Sequence, residues 1–296
     1  MRSIALAGAL ACVLTCPLAC ALAGPALAWG PEGHSIVAEI AQQRLSDSAA
    51  RLVRDLLQGR SLASIASWAD DYRASHPETT NWHFVDIPLG VTAYNAARDC
   101  KPNKESGDCI IAELMRAQKD LRCATGEAQT EALKFAVHFI GDIHQPLHTV
   151  KEMQGGNQIQ VDVFMRGLAT SPTLPVAHTP VNFHKAWDET LIQRTAWSWG
   201  AYVDRLENDW LKNAPKAKAE DPKINHTPID EKTLIAWAEE THRTAPKVWY
   251  WRPANDVLDD RYLRDVLPIM DQQLGIAGLR LARFLNDAVS QACPAR

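Results

Sequence analysis

The residues that can do chemistry in this chain gather in two segments. FAVHFIGDIHQPLH carries His138, Asp142, His144 and His148, and NFHKAWDET carries His184 and Asp188. His138 and Asp142 stand four apart, as do His184 and Asp188, so on a helix each pair projects from one face. Imidazole and carboxylate converging this way are the donor set of zinc or a similar divalent cation. A lone histidine in a helical core is usually structural. The repeated four-residue spacing, in a chain with ten histidines, argues for a metal instead. The chemistry implied is hydrolysis by metal-activated water. Pro146 must break the helix after Asp142, and the turn that follows can bring His148 back to the same pocket.

Other candidates are weaker alone. ASWADDYR offers Asp70, Asp71 and Arg73, and NWHFVDIP offers His83 and Asp86 with Phe84 between them. A helix cap and a core strand would explain these segments equally well. His144 has no partner of its own and reads as support for the ligands rather than as a ligand. His76, His178, His226 and His242 read as surface or loop residues.

Trp29 enters through the leader. Residues 1–28 hold one positive charge, Arg2, then an apolar run ending Ala26-Leu27-Ala28, which is the pattern of a secretory signal peptide cut before Trp29. A free α-amino group on Trp29, with pKa near 8, could chelate a metal together with its own carbonyl. His34 lies five residues on and can join it. Removing 28 of 296 residues leaves 268, enough for one domain (29–296) with a substantial core. No other run is long enough to span a bilayer, so no stable membrane insertion is expected.

The net charge of −4 becomes −5 once Arg2 is lost. A basic stripe of the kind duplex binders use is absent, so an anionic substrate must be held by something other than net charge. Cys100, Cys109, Cys123 and Cys293 remain after the leader, an even number that suggests two disulfides in an exported protein. Three connectivities are possible; we favour Cys100–Cys109 with Cys123–Cys293. Asn225-His226-Thr227 matches a glycosylation acceptor.

The elements that must position these residues read mainly as helix. GHSIVAEIAQQRL places Ile36, Val37, Ile40, Ala41 and Leu45 at helical spacing, and Ser46-Asp47-Ser48 caps a second helix through Leu57. Further helices are expected over 61–73, 108–122, 127–144, 180–210, 230–250 and 260–290. The Trp residues at helical spacing in 180–210 (Trp187, Trp197, Trp199, Trp210) are most simply core. GGNQIQVDVF alternates Ile159, Val161 and Val163, which suits a short β-hairpin. Residues 166–180 and 213–228 read as loops. The expected fold is a single all-α domain with a small β-hairpin.

Taken in order, WGPEGH, WAD, WHFVDIP, VHFIGDIHQPLH, GGN and NFHKAWD resemble the zinc-dependent, single-strand-specific nucleases of the S-one and P-one type, within the superfamily that includes zinc phospholipase C. The resemblance covers nearly all of 29–296. It implies that superfamily's mainly helical fold and three zinc ions per chain. One would be bound by Asp70, His83, His138 and Asp142. Its close neighbour would be bound by the Trp29 amino and carbonyl groups, His34 and Asp142. The third would be bound by His148, His184 and Asp188. Three aspartates against three zinc ions leave the site about +3 within an acidic protein, which answers how it would attract an anion.

The implied activity is hydrolysis of single-stranded DNA and RNA to 5′-phosphate products, with 3′-nucleotidase activity. Asp70 would orient the attacking water and Arg73 would steady the charge developing at phosphorus. Phe84 would stack on a base, Asp86 would hydrogen-bond the base edge, and Asn157 of GGN would fix the pocket backbone near the substrate. Glu189 stands where some members carry asparagine, which puts one base contact in doubt. A secreted or periplasmic monomer is expected. The nearest rival is a zinc phospholipase C, whose lipases carry glutamate where this chain has Asp188; phospholipid remains a possible minor substrate. A non-catalytic zinc-binding exported protein is the rival from another class, and it would need neither Arg73 nor an open coordination position.

Overall fold

Pro31 sits in the first turn of helix α1 (Pro31–Gln42), where its missing N–H costs nothing. Ser46 accepts a hydrogen bond from the Ala49 amide and starts α2 (Asp47–Leu56), the cap expected from Ser46-Asp47-Ser48. There follow α3 (Trp68–Ser75), α4 (Ile110–Cys123) and α5 (Glu127–Asp142), strands β1 (Gln160–Phe164) and β2 (His178–Asn182), α6 (Trp199–Asn208), α7 (Glu231–His242), β3 (Val257–Leu258) and α8 (Asp260–Ser290). The structure, a computed structural model, describes residues 29–168 and 176–293; the expected leader lies outside the described residues. The architecture is the mainly helical one expected.

Helix α8 is the spine of the core. From Gln273 to Leu285 it is buried on all sides, as a helix apolar around most of its circumference must be. It crosses α1 closely at Gly278, where a β-carbon would meet Ile40 at 2.4 Å. Two arginines inside this span are paired. Arg280 reaches Glu220 at 2.8 Å and Glu240 at 2.6 Å, and Arg283 also pairs with Glu220. The favoured disulfides are present: Cys100–Cys109 closes the loop before α4, and Cys123–Cys293 ties the end of α4 to the segment after α8.

β1 is the central strand of a three-stranded sheet. It pairs antiparallel with β2, as the expected hairpin, and parallel with β3. Val161 and Val163 face inward while Gln160 and Phe164 face outward, the period-2 pattern read in the sequence.

Several expected elements are broken up. Residues 61–73 split into a 3₁₀ turn (Leu62–Ile65) and α3, with Ser67 between them in a non-helical conformation. The long helix over 180–210 does not form. β2 takes its start, Asn182 caps a short helix (Phe183–Lys185), a π-turn covers Ala186–Thr190, and a helix ends at Thr195 before α6 begins. Residues 213–228 are not all loop, because Pro215 starts a helix through Glu220. Trp187 is in the core, whereas Trp197 is 82% exposed. His242, read as a surface or loop residue, is buried on α7 beside Thr149 and the Pro88 carbonyl.

Candidate metal centre

Six short pieces of chain bring the candidate residues together. α1 supplies His34, α3 supplies Asp70 and Arg73, and a 3₁₀ helix (Pro77–His83) ends on His83. α5 supplies His138 and Asp142 on its last turn. Pro146 then starts a 3₁₀ helix (Pro146–Thr149) that carries His148 back toward α5's end, as the proline predicted. His184 and Asp188 come from the short helix and π-turn after β2. All are buried.

Asp142 is the hub of one half. Its Oδ1 lies 3.2 Å from His34 Nε2, and its Oδ2 lies 3.1 Å from His83 Nδ1 and 3.3 Å from His138 Nε2. Asp70 closes this half at 3.8 Å from His83 and 3.7 Å from His138. The His34 and His138 rings stack at 3.8 Å. In the other half, His184 Nε2 lies 3.5 Å from Asp188 and His148 Nε2 3.9 Å from it. Both four-residue pairs therefore face one another as their spacing predicted. Three groups, His34/Asp70/His138, His83/His138/Asp142 and His148/His184/Asp188, each offer donor atoms close enough together to share one ion.

The donor chemistry fits a cation. His148 Nδ1 donates to the His83 carbonyl at 2.8 Å, and His184 Nδ1 donates to the Gly155 carbonyl at 2.7 Å. With Nδ1 protonated, a neutral imidazole carries a lone pair on Nε2. Yet the two Nε2 atoms face each other at 2.9 Å, beside the Asp188 carboxylate. His138 repeats the pattern. Its Nδ1 donates to the Ala66 carbonyl at 2.8 Å, which aims an Nε2 lone pair at His83 and Asp142. Lone pairs and carboxylates converging in a buried space repel unless a positive ion sits among them. Backbone carbonyls that fix the far nitrogen are also how metal-ligating histidines are held.

The electrostatics agree. Burial holds His34, His83, His138 and His148 below the ordinary imidazole range and pulls His184 down to about 4. Burial, with Asp70 as neighbour, pushes Asp142 well above the ordinary carboxylate range; burial does the same to Asp188. Neutral imidazoles are ready ligands, and a divalent cation would supply counter-charge to both carboxylates.

The remaining expected residues line a cavity of about 870 Å³ beside the centre. Its wall includes Arg73, Phe84, Asp86, Asn157, His148 and His184. Arg73 lies 3.1 Å from Asp70. Burial raises Asp86 to about 6, against the opposing pull of Lys151. Asn157 donates to the Gln154 carbonyl, which ties down the turn after the GG pair.

One expectation changes. His144 does not support the ligands. Its Nδ1 donates to the Ile140 carbonyl and its Nε2 accepts from Arg280 of α8, so it faces the ionic cluster behind α5. Glu189 is absent from the cavity wall; it pairs with Lys185 at 3.5 Å and covers Gly30. Trp29 is fully buried, and the next residue's amide, Gly30 N–H, donates to the Asp188 carbonyl at 2.8 Å, pinning the start of the domain against the π-turn.

Sequence reasoning missed Gln145, whose amide donates to Asp188 at 2.6 Å while its oxygen accepts from the Leu147 amide at 2.5 Å. It also missed what the glycines do. A β-carbon on Gly141 would meet the His34 ring at 2.7 Å, and Gly155, at φ +61°, presents its carbonyl to His184. The only available signals were their places inside HFIGDIHQ and QGGN.

Comparison with known proteins identifies the chain's relatives. The S1/P1 nuclease family matches residues 29–290. Endonuclease 2 of Arabidopsis thaliana is 31% identical over 284 residues, covering 87% of this chain and 89% of its own. Nuclease S1 of Aspergillus oryzae is 29% identical over 290 residues (89% and 92%), and nuclease P1 of Penicillium citrinum is 29% identical over 280 residues (88% and 97%). Matched over residues 29–290, almost its whole described length, this chain belongs to the S1/P1 nuclease family.

Proposed function

We propose that this chain is an exported, zinc-dependent phosphodiesterase that hydrolyses single-stranded DNA and RNA to 5′-phosphate products and also acts as a 3′-nucleotidase. Membership of a nuclease family makes it a hydrolase of phosphodiester bonds. The observation that carries the finer reading is the pair of facing Nε2 atoms on His148 and His184 beside Asp188, at the edge of a cavity with volume enough for a nucleotide.

Three ions would be held as the resemblance implies: one by Asp70, His83, His138 and Asp142, one by His34, Asp142 and the Trp29 amino and carbonyl groups, and one by His148, His184 and Asp188. The two-sided placement of Asp142 supports its role as a bridge between the first two. Zinc held there supplies Lewis acidity and lowers the pKa of a water toward neutrality.

The chain's own residues do the rest. Asp70 orients the attacking water and accepts its proton. Arg73, held by Asp70 at 3.1 Å and opening onto the cavity, offers its planar fork to the phosphoryl oxygens. Phe84 gives a face for one base to stack on, Asp86 accepts from the base edge, and Asn157 holds the turn that shapes the wall. Stacking tolerates any base but needs one freed from its partner, which suits single strands. Two disulfides, a family match beginning at Trp29, and no helix among the described residues long and apolar enough to cross a membrane support export with the leader removed.

The test is cleavage of single-stranded DNA, duplex DNA and phosphatidylcholine by the mature protein, with and without a chelator. Chelator-sensitive cleavage with the single strand much preferred is expected. Preference for phosphatidylcholine, or zinc binding with no hydrolysis, would overturn the reading.

A further inference from the structure

The cavity beside the metal centre does not end at Phe84. A second cavity, of about 630 Å³, opens on the far side and shares Asn81, Phe84, Asp86 and Lys151 with the first. Phe84 and Asp86 therefore stand between two adjoining cavities rather than at the back of one. The segment is held there from three sides: the Ile110 amide donates to the Phe84 carbonyl, the Val85 amide to the His148 carbonyl, and the Asp86 amide to the Asp99 carbonyl.

The outer wall of the second cavity is the loop that Cys100–Cys109 closes. Inside it, Asn103 and Gly107 exchange backbone hydrogen bonds at 2.9 and 2.8 Å, so the loop is a small cross-braced ring. The charges on this wall are unequal in availability. Arg98 is spent on Asp99, at 2.5 and 2.7 Å, and Asp108 is spent on Arg116 at 2.7 Å. Lys101 and Lys104 are exposed and form no salt bridge among the described residues, Lys151 is exposed and acts on Asp86, and the exposed carboxylate of Glu105 shares the wall. Three ammonium groups, with one carboxylate among them, thus border two adjoining cavities that meet at one aromatic ring, the inner of which is lined by ligands of the metal centre. This is the arrangement single strands use, a stacking platform with cations tracking the backbone.

We propose that the disulfide-closed loop is an extension subsite for the substrate strand, in which Lys101 and Lys104 hold the backbone phosphates of nucleotides beyond the base on Phe84. The inference rests on the nuclease reading above and adds to it a preference for longer strands. A mononucleotide or dinucleotide would fill only the inner cavity, while an octanucleotide would run on past Phe84 into the outer one.

The test compares the mature zinc-loaded protein with a Lys101→Ala, Lys104→Ala double variant on a 3′-mononucleotide, a dinucleotide and an octathymidylate. Both lysines are exposed and outside the metal centre, so the variant keeps the basal reaction on the short substrates. Each single-strand phosphate contact adds about 0.7 to the log–log salt slope, so two add about 1.4, which is about sevenfold between 50 and 200 mM salt. On the octamer the variant is expected to lose that extra slope, with kcat/KM falling several-fold at 50 mM salt. An unchanged salt slope and kcat/KM on the octamer, with the wild type cleaving normally, would overturn the subsite alone. Equal loss on all three substrates would also overturn it. A wild type that cleaves no nucleic acid would overturn the nuclease reading, and the subsite with it.

Discussion

Replacing Asp142 by asparagine is the sharpest perturbation the site allows. It keeps the volume of a fully buried side chain and removes one charge. That carboxylate faces His34 on one oxygen and His83 and His138 on the other, so two ions would lose a shared ligand at once. Partners that merely orient ligands are worth 10–100-fold in metal affinity, so loss of a bridging ligand takes at least about 100-fold. With zinc at 100 times the wild-type Kd, each ion stabilises the fold by about 2.7 kcal/mol, and a 100-fold weaker site keeps about 0.4 kcal/mol. Over the two sites that share Asp142 the loss is about 4.6 kcal/mol, which for a chain of this size is about 9–18 °C in melting temperature. In chelated protein the loss should vanish, because an uncharged amide is cheaper to bury than a carboxylate that burial already pushes well above its ordinary pKa. The assay is thermal unfolding of both proteins in excess zinc and in chelator. A variant that keeps the wild-type zinc-dependent shift would refute the bridging role, and one that unfolds equally early in chelator would show only a packing defect.

Gln145→Ala removes the amide that fixes Asp188, and zinc affinity should fall about 10–100-fold while the chelated protein changes little; competition with a chromogenic chelator checks this. Gly155→Ala places a methyl 2.5 Å from the Leu147 carbonyl in a backbone conformation at φ +61°, so a cost of about 1–3 kcal/mol and looser holding of His184 are expected, read by urea unfolding. The pH dependence has a definite sign. Burial depresses the folded-state pKa of His184 to about 4, so its Nε2 stays unprotonated well below the 6.5 of a free imidazole. Zinc release on acidification should therefore begin only below about pH 5, and release centred near 6.5 would contradict the buried ligand set. The same depression makes His184's contribution to the stability of chelated protein fully present above pH 6.5 and lost as pH falls through about 4.

What could be read from the sequence and what could not separate along physical lines. His138/Asp142 and His184/Asp188 were legible because helical geometry forces residues four apart onto one face, and His148 because Pro146 had to end α5. The same periodicity misled over 180–210. Four tryptophans fall in that stretch, but Asn182 caps one short helix, Ser198 caps another, and β2 claims the start, so Trp197 ends on the surface. His144 shows the limit of proximity in sequence. Two residues past Asp142 it points behind the helix to Arg280, a partner 136 residues away that no local pattern announces. Gln145 and Gly155 were missed for the complementary reason: their roles are single hydrogen bonds to Asp188 and His184, which polar or glycine residues in a loop do not advertise. The grouping of ligands by ion came from family resemblance, and the two-sided setting of Asp142 gives it a physical rationale.

The most direct measurement is the number of zinc ions per mature chain, by elemental analysis of protein purified without chelator. The account predicts about three, two of them lost together in Asp142→Asn. No zinc, or a single ion per chain, would contradict it.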